Sequence, residues 1–203
     1  MAYSSRKRVL LALARIWSAP LFWWSGRSAN SGTIRIDVDR WIECLGNEAL
    51  STMDYRDGFA YLSGALPEFR TAVHLRLTDL PLPVRWILKR VYRPHPWVVI
   101  EAGSIGPGLF IHHGVGTIVT AEAIGRNFWV NQHVSLGYTK HGRPIVGDDV
   151  TVAAGAVVVG PITVGNGAFI GANAVVATDV PAGSMVTAPT PTVRQPAARP
   201  ESS

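Results

Sequence analysis

The sequence predicts a mainly β protein, a parallel β-helix wound from hexapeptide repeats behind an N-terminal helical region. Three observations carry this. Branched aliphatic residues recur every six positions from Val99 onward, and the dipeptides Arg93-Pro94 and His95-Pro96 punctuate the chain just before that repeat begins. The 203 residues are 47% hydrophobic and only 16% charged, with 20 Gly and 14 Pro. That balance suits tightly turned β architecture, since a helical bundle wants more Glu, Lys and Leu.

Residues 1–97 read as mostly helical, with pieces over residues 39–53, 68–77 and 84–91 separated by Gly and Pro. The start, Arg6-Lys7-Arg8 followed by Val9, Leu10, Leu11, Ala12 and Leu13, imitates a signal peptide. Arg15 interrupts it, no small-residue cleavage site follows, and the apolar run is too short to span a bilayer. With Trp17, Phe22, Trp23 and Trp24 nearby, residues 6–24 form either a helix that packs on the protein or a partner subunit, or one in peripheral membrane contact. The two prolines at 94 and 96 cannot continue a helix, so the junction falls there.

After the junction, Val99, Ile105 and Ile111 are followed, one extra residue later, by Ile118, Ile124, Val130 and Leu136. A longer insertion precedes Val146, Val152, Val158, Val164, Ile170 and Val176. Six consecutive hits from Val146 would arise by chance about once in a thousand. The residue after each is usually small, so each hexad supplies one inward aliphatic and a tight corner. Three such strands close a triangular coil, and stacked coils bury a column of Val and Ile while pairing each other's backbone groups. A six-residue period drifts around a 3.6-residue helix, which excludes the helical alternative. Residues 99–181 make roughly four and a half coils, left-handed as in other hexapeptide proteins and thus an exception to right-handed crossovers. The expected organisation is a helical region over 1–97, the β-helix over 98–185 and a Pro-rich tail over 186–203.

Composition narrows the function. The formal net charge is +5, but no aromatic-and-basic motif accompanies it, so no nucleic-acid partner is expected. One cysteine, Cys44, forms no intrachain disulfide or Cys-based zinc site, and a cytoplasmic location is the default. Chemistry is sought where the repeat breaks. The pair His112-His113 follows the inward Ile111, and the insertion between Leu136 and Val146 carries Tyr138, Lys140, His141 and Arg143. The bland alternatives are a solvated outward histidine and solvated loop cations. The spacing of His112, His113 and His133 is no metal signature, and no metal is expected.

The stretches IGPGLFIHHGVGTIV, IGRNFWVNQHVSLGY and IVGDDVTVAAGAVVVGPITVGNGAFIGANAVVATDVPAG resemble the serine O-acetyltransferase family of hexapeptide-repeat acyltransferases. LPEFRTAVHLRL, residues 66–77, is similar to the helical lead-in of a compact branch of that family. The resemblance implies a left-handed β-helix, a homotrimer with active sites between neighbouring β-helices, and acetyl-CoA as co-substrate. By motif position it implies that His113 is the general base, with His112 where the family commonly has Asp. Its motif matches place CoA binding on Gly137, Tyr138, Ala154, Gly155 and Ala172, with Lys140 a further candidate in the loop, and the candidates for acceptor binding are Arg143, suited to clamp a carboxylate, with His141 and His112. Small residues at a corner also have a purely structural explanation. Val98 stands where larger members carry the carboxylate that orients the base, and Arg143 stands before Pro144 where they carry a second histidine. Ala188-Pro189-Thr190-Pro191-Thr192 replaces the family's Gly-x-Pro-Ala-Lys segment.

The expected activity is transfer of acetyl from acetyl-CoA to L-serine, giving O-acetyl-L-serine for cysteine synthesis. The alternatives are a sugar O-acetyltransferase of capsule or exopolysaccharide synthesis and a catalytically silent β-helix scaffold.

Overall fold

The computed structural model describes residues 2–190, with side chains from Arg8 onward. The basic residues Arg6 and Lys7 and the end of the Pro-rich tail, residues 191–203, therefore lie outside the described side chains. Among the described residues six helices come first: α1 (Ala2–Ser25), α2 (Ser31–Leu45), α3 (Glu48–Ser51), α4 (Tyr55–Ala65), α5 (Pro67–Arg76) and α6 (Leu82–Val91). The single helix expected over residues 39–53 is instead the end of α2, a break, and α3. Gly46 breaks it with φ +59°, a left-handed conformation that glycine adopts without steric cost, and Asn47 then caps α3 by accepting from Ala49 N at 3.0 Å. Asp54 caps α4 in the same way, from Asp57 N at 2.8 Å. No described helix is long and apolar enough to cross a membrane.

From Val98 the described residues coil through twelve strands: β1 (Val98–Ile105), β2 (Phe110–Ile111), β3 (Thr117–Ile124), β4 (Trp129–Val130), β5 (Ser135–Gly137), β6 (Ile145–Val146), β7 (Thr151–Val152), β8 (Val157–Val159), β9 (Thr163–Val164), β10 (Phe169–Ile170), β11 (Val175–Val176) and β12 (Met185–Val186). Every pair of these strands is parallel. They stack into three faces. The first holds the start of β1, the start of β3, β5, β8 and β11; the second holds the ends of β1 and β3, then β6, β9 and Val180. The third holds β2, β4, β7, β10 and β12. The result is a solenoid of about five turns, because Met185 and Val186 complete the third side of a last coil.

The aliphatic column lies where the hexads place it for Ile111, Ile124, Val130, Leu136, Val146, Val152, Val158, Val164, Ile170 and Val176, all buried. Val99 and Ile118 do not join it. They are 45% and 51% exposed, while Val98, Ile100, Thr117 and Val119 point inward. The cause is local. β1 and β3 run as unbroken strands around the corner between the first two faces, so five residues rather than six separate Val119 from Ile124. The corner before β3 compensates with two extra residues, which a count by sixes reads as one. Corners need a left-handed residue, and the chain supplies Gly, Asn, Asp or His there: Gly108, Asn127, Asp149 and Gly167 along one edge, and His133, Gly155 and Asn173 along another.

The helices close the first coil. Arg76 donates to both Asp37 oxygens, at 2.9 and 3.3 Å, and to the carbonyls of Ile105 and Gly106 at 2.6 and 2.7 Å. Asp37 in turn accepts from Gly108 N at 2.7 Å and Leu109 N at 3.2 Å. Burial pushes the Asp37 carboxyl up, and these donors oppose it. Trp41 donates from Nε1 to Leu109 O at 2.7 Å and packs its ring on Phe69 and Phe110. Asp37 and Arg76 are both buried, so the backbone groups they bond at this corner depend on them.

Stability should fall in acid for a specific reason. His74 is buried on α5 with Nε2 donating to Tyr92 O at 2.7 Å, and burial holds its pKa below the ordinary 6.5. Burial first, then the nearby His113, does the same to His112. Below about pH 6.5 the unfolded chain binds protons that these folded rings refuse, so stability is lost as pH drops from there toward the lowered values. A thermal midpoint measured against pH should decline on the acid side, and His74→Gln, which keeps a donor for Tyr92, should make that decline shallower.

Candidate active site

The histidine corner joins β2 on the third face to β3 on the first. Its two extra residues make it wider than the corners stacked beneath it, and His113 takes φ +60° there. Histidine tolerates that conformation better than a branched residue does. The His113 ring is exposed and lies 4.0 Å from the ring of His112. His112 is half-buried, stacked on Phe110 with centroids 5.7 Å apart and edge-on to Trp129. Burial first, then the neighbouring His113, holds its pKa below the ordinary 6.5 and so favours its neutral form. Gly114 lets this loop sit down on its neighbours. A Cβ there would come within 2.5 Å of Val98 Cγ2 and 3.1 Å of Glu68 Cγ.

That contact exposes a residue the sequence reading passed over. Val98 fills the place of the expected carboxylate, and its side chain is buried under the loop. The acid beside the corner is instead Glu68, in the first turn of α5, whose charge acts on His112 and whose Oε1 lies 3.8 Å from His95 Nε2. Glu68 belongs to the quoted lead-in LPEFRTAVHLRL, and a single acid there was the available signal. Its 45-position separation from His113 hides the proximity until the chain folds.

The insertion leaves the solenoid at a different edge, between the first and second faces. Thr139 and Gly142 bond each other, N–H to carbonyl in both directions at 3.0 and 3.1 Å, which places Lys140 and His141 at the tip of a tight hairpin. Tyr138, Lys140, His141 and Arg143 are all exposed. Arg143 lines a cavity of about 630 Å3 together with Glu101, Ser104, Asn30 and Thr78. No histidine lines that cavity. Within one chain, then, His113 and Arg143 sit on separate edges, at either border of the first face.

The small residues divide between the same two edges. Ala154, Gly155 and Ala172 continue the His113 edge through the next coils, linked by Asn173 N donating to Ala154 O at 3.0 Å. Gly155 has a structural reason to be glycine: its φ is +71°, and a Cβ would meet Asn173 Oδ1 at 2.2 Å. Gly137 has none of that kind, since a Cβ there would only touch Val159 at 3.6 Å. It lies with Tyr138 and Lys140 on the hairpin side. His133 is the left-handed corner residue stacked between Gly116 and Gly155, which accounts for it without chemistry. Among the described residues no group of three or more His, Cys, Asp and Glu is placed to hold a metal ion.

The first face between the two edges is apolar on its outside. Val99, Ile118, Val157 and Val175 are in register along it, interrupted by Ser135. Val99, Ile118 and Val175 are exposed in the single chain.

Comparison with known proteins agrees with this architecture. The bacterial transferase hexapeptide (six repeats) family model matches residues 143–178. A serine acetyltransferase of Bacillus pumilus (strain SAFR-032) is 48% identical over 107 residues, 49% of this chain and 49% of that protein. One from Staphylococcus xylosus is 39% identical over 123 residues, 56% of this chain and 57% of its own length. The chain thus spans about half the length of the curated relatives it matches. Among solved structures, Neisseria gonorrhoeae serine acetyltransferase in complex with serine superposes with a TM-score of 0.60 at 24% identity, over 88% of this chain and 80% of that one. Entamoeba histolytica serine acetyltransferase isoform 3 in complex with cysteine gives 0.58 at 26% identity, over 84% and 63%. Residues 143–178 thus match bacterial transferase hexapeptide repeats, and the β-helix that contains them is similar in sequence and in fold to those of serine acetyltransferases.

Proposed function

We propose that the protein transfers the acetyl group of acetyl-CoA to the hydroxyl of L-serine, giving O-acetyl-L-serine and CoA. The observation that carries this is His113, an exposed imidazole held at a widened corner of a β-helix whose relatives are serine acetyltransferases. A serine hydroxyl is a weak nucleophile until a base takes its proton. Neutral His113 accepts that proton as the oxygen attacks the thioester carbonyl; the tetrahedral intermediate collapses, the C–S bond breaks, and the imidazolium returns the proton to the CoA thiolate. Glu68 is the acid beside this corner, and its charge acts on the neighbouring His112.

The assembly we propose is a homotrimer packed through the first face. Its outward column of Val99, Ile118, Val157 and Val175 is an apolar strip that association would bury. His113 borders that face on one side and the hairpin borders it on the other, so packing brings the base of one copy toward the hairpin of the next. Acetyl-CoA would then run along the Ala154 and Ala172 edge, with Gly137, Tyr138 and Lys140 supplied across the interface. A cytoplasmic location fits this donor.

Serine is preferred over a sugar because the cavity at the hairpin carries Arg143 and Glu101 together. A cation and a carboxylate match the two charges of an amino acid, whereas a neutral sugar offers them hydroxyl hydrogen bonds but no ion pair. Arg143→Ala should raise the KM for serine by about tenfold or more while leaving the KM for acetyl-CoA nearly unchanged, since the lost ion-paired hydrogen bonds belong to one substrate. Equal effects on both would show that the hairpin had collapsed, and no effect on either would remove Arg143 from the acceptor site.

A further inference from the structure

We infer that the outer faces of α1 and α6 form one surface that attaches the protein to an anionic lipid membrane. On α1, Leu11, Ala14, Ser18, Leu21 and Ser25 turn toward the protein, leaving Val9, Leu13, Ile16 and Trp23 exposed on the opposite face, which no described element covers. Ile16 is 73% exposed. On α6 only Leu88 is fully docked, followed by Tyr92 just past its end; Leu82, Trp86, Ile87 and Val91 project outward, Leu82 at 74% and Trp86 at 70% exposure. The two helices adjoin, because Trp17 of α1 packs edge-on against Tyr92 with centroids 4.7 Å apart and accepts its hydroxyl at the backbone carbonyl at 2.7 Å.

Charge chooses the occupant. Residues 8–36 carry Arg8, Arg15, Arg27 and Arg35 and no Asp or Glu, and residues 80–100 carry Arg85, Lys89, Arg90 and Arg93 and no Asp or Glu. Lys89, Arg90 and Arg93 are exposed beside the apolar residues, and the Arg27 guanidinium sits 3.2 Å over the ring of Trp23. Arg15 is paired with Asp57, whereas Lys89, Arg90 and Arg93 are exposed without an acidic partner among the described residues, and exposed tryptophans interleaved with such cations match the headgroup level of a membrane with anionic lipid. A second copy of the chain meets the same surface with like charges opposed, which disfavours it as the partner.

The test uses the full chain without substrates, so its outcome is independent of the transferase reading. Flotation with vesicles of phosphatidylcholine mixed with phosphatidylglycerol should carry the protein upward and blue-shift its tryptophan emission, while pure phosphatidylcholine vesicles should not. High salt should release much of it. The pairs Leu13→Glu with Ile16→Glu, and Lys89→Glu with Arg90→Glu, should each reduce the bound fraction by about tenfold with the thermal midpoint unchanged. If the first pair lowers the midpoint, Trp86→Ala on a projecting side chain provides the same reading. Absence of flotation with the mixed vesicles, or equal flotation of the variants, overturns the inference. So does a lipid-free sedimentation run in which the Leu13 and Ile16 pair shrinks the oligomer, since a second copy would then cover α1.

Discussion

His113→Asn should lower kcat by about 10²–10⁴-fold, the usual loss of a general base, while the thermal midpoint and oligomer size stay at the parent values. Asparagine is the informative substitute because the position has φ +60° and asparagine enters that region readily, whereas alanine adds a backbone penalty to the lost base. The ring is exposed, so its removal leaves the aliphatic column untouched. His112→Asn should cost activity less, because that ring lies against Phe110 and Trp129 and serves the corner's packing. Steady-state turnover with acetyl-CoA and serine separates the two. A folded His113 variant with near-parent turnover would take the base away from this corner.

The largest stability effect is expected at the opposite side of the first coil. Asp37→Ala should destabilise the protein by about 3–5 kcal/mol, because it leaves the buried Arg76 charge without a counterion and orphans the N–H groups of Gly108 and Leu109. That is a large fraction of the total for a domain of ordinary stability. Replacing both partners, Asp37→Leu with Arg76→Met, should recover part of the loss by removing the unpaired cation. Denaturant midpoints of the single and double variants measure this directly. A single variant within about 1 kcal/mol of the parent would mean that Arg76 finds water or another acceptor.

Much of the β-helix is legible in the sequence because one physical requirement repeats: each face needs one inward aliphatic, and each corner needs a small or left-handed residue. From Ile124 to Val176 nothing perturbs that count except an insertion visible by its length. The count misplaces Val99 and Ile118 because β1 and β3 bend around a corner without pausing, and a shortened corner followed by a lengthened one leaves nearly the same total. Helix ends are legible where Pro opens α5 and α6, and they are missed at Gly46, where a glycine inside an apolar pattern acts as a stop. For the site, motif position points to His113, Arg143 and the small corner residues, yet spacing along the chain carries no information about which edge of a triangular coil each occupies. The structure puts His113 and Arg143 at opposite borders of one face, gives Gly155 a packing reason, and brings Glu68 beside the histidine corner from a helix far back in the sequence.

Release of CoA thiol by the purified protein, with acetyl-CoA and either L-serine, homoserine or a panel of sugars, tests the central claim most directly. The account predicts thiol release that depends on L-serine, with O-acetyl-L-serine formed in equal amount. Release only with a sugar, or none with any acceptor from folded protein, would contradict it.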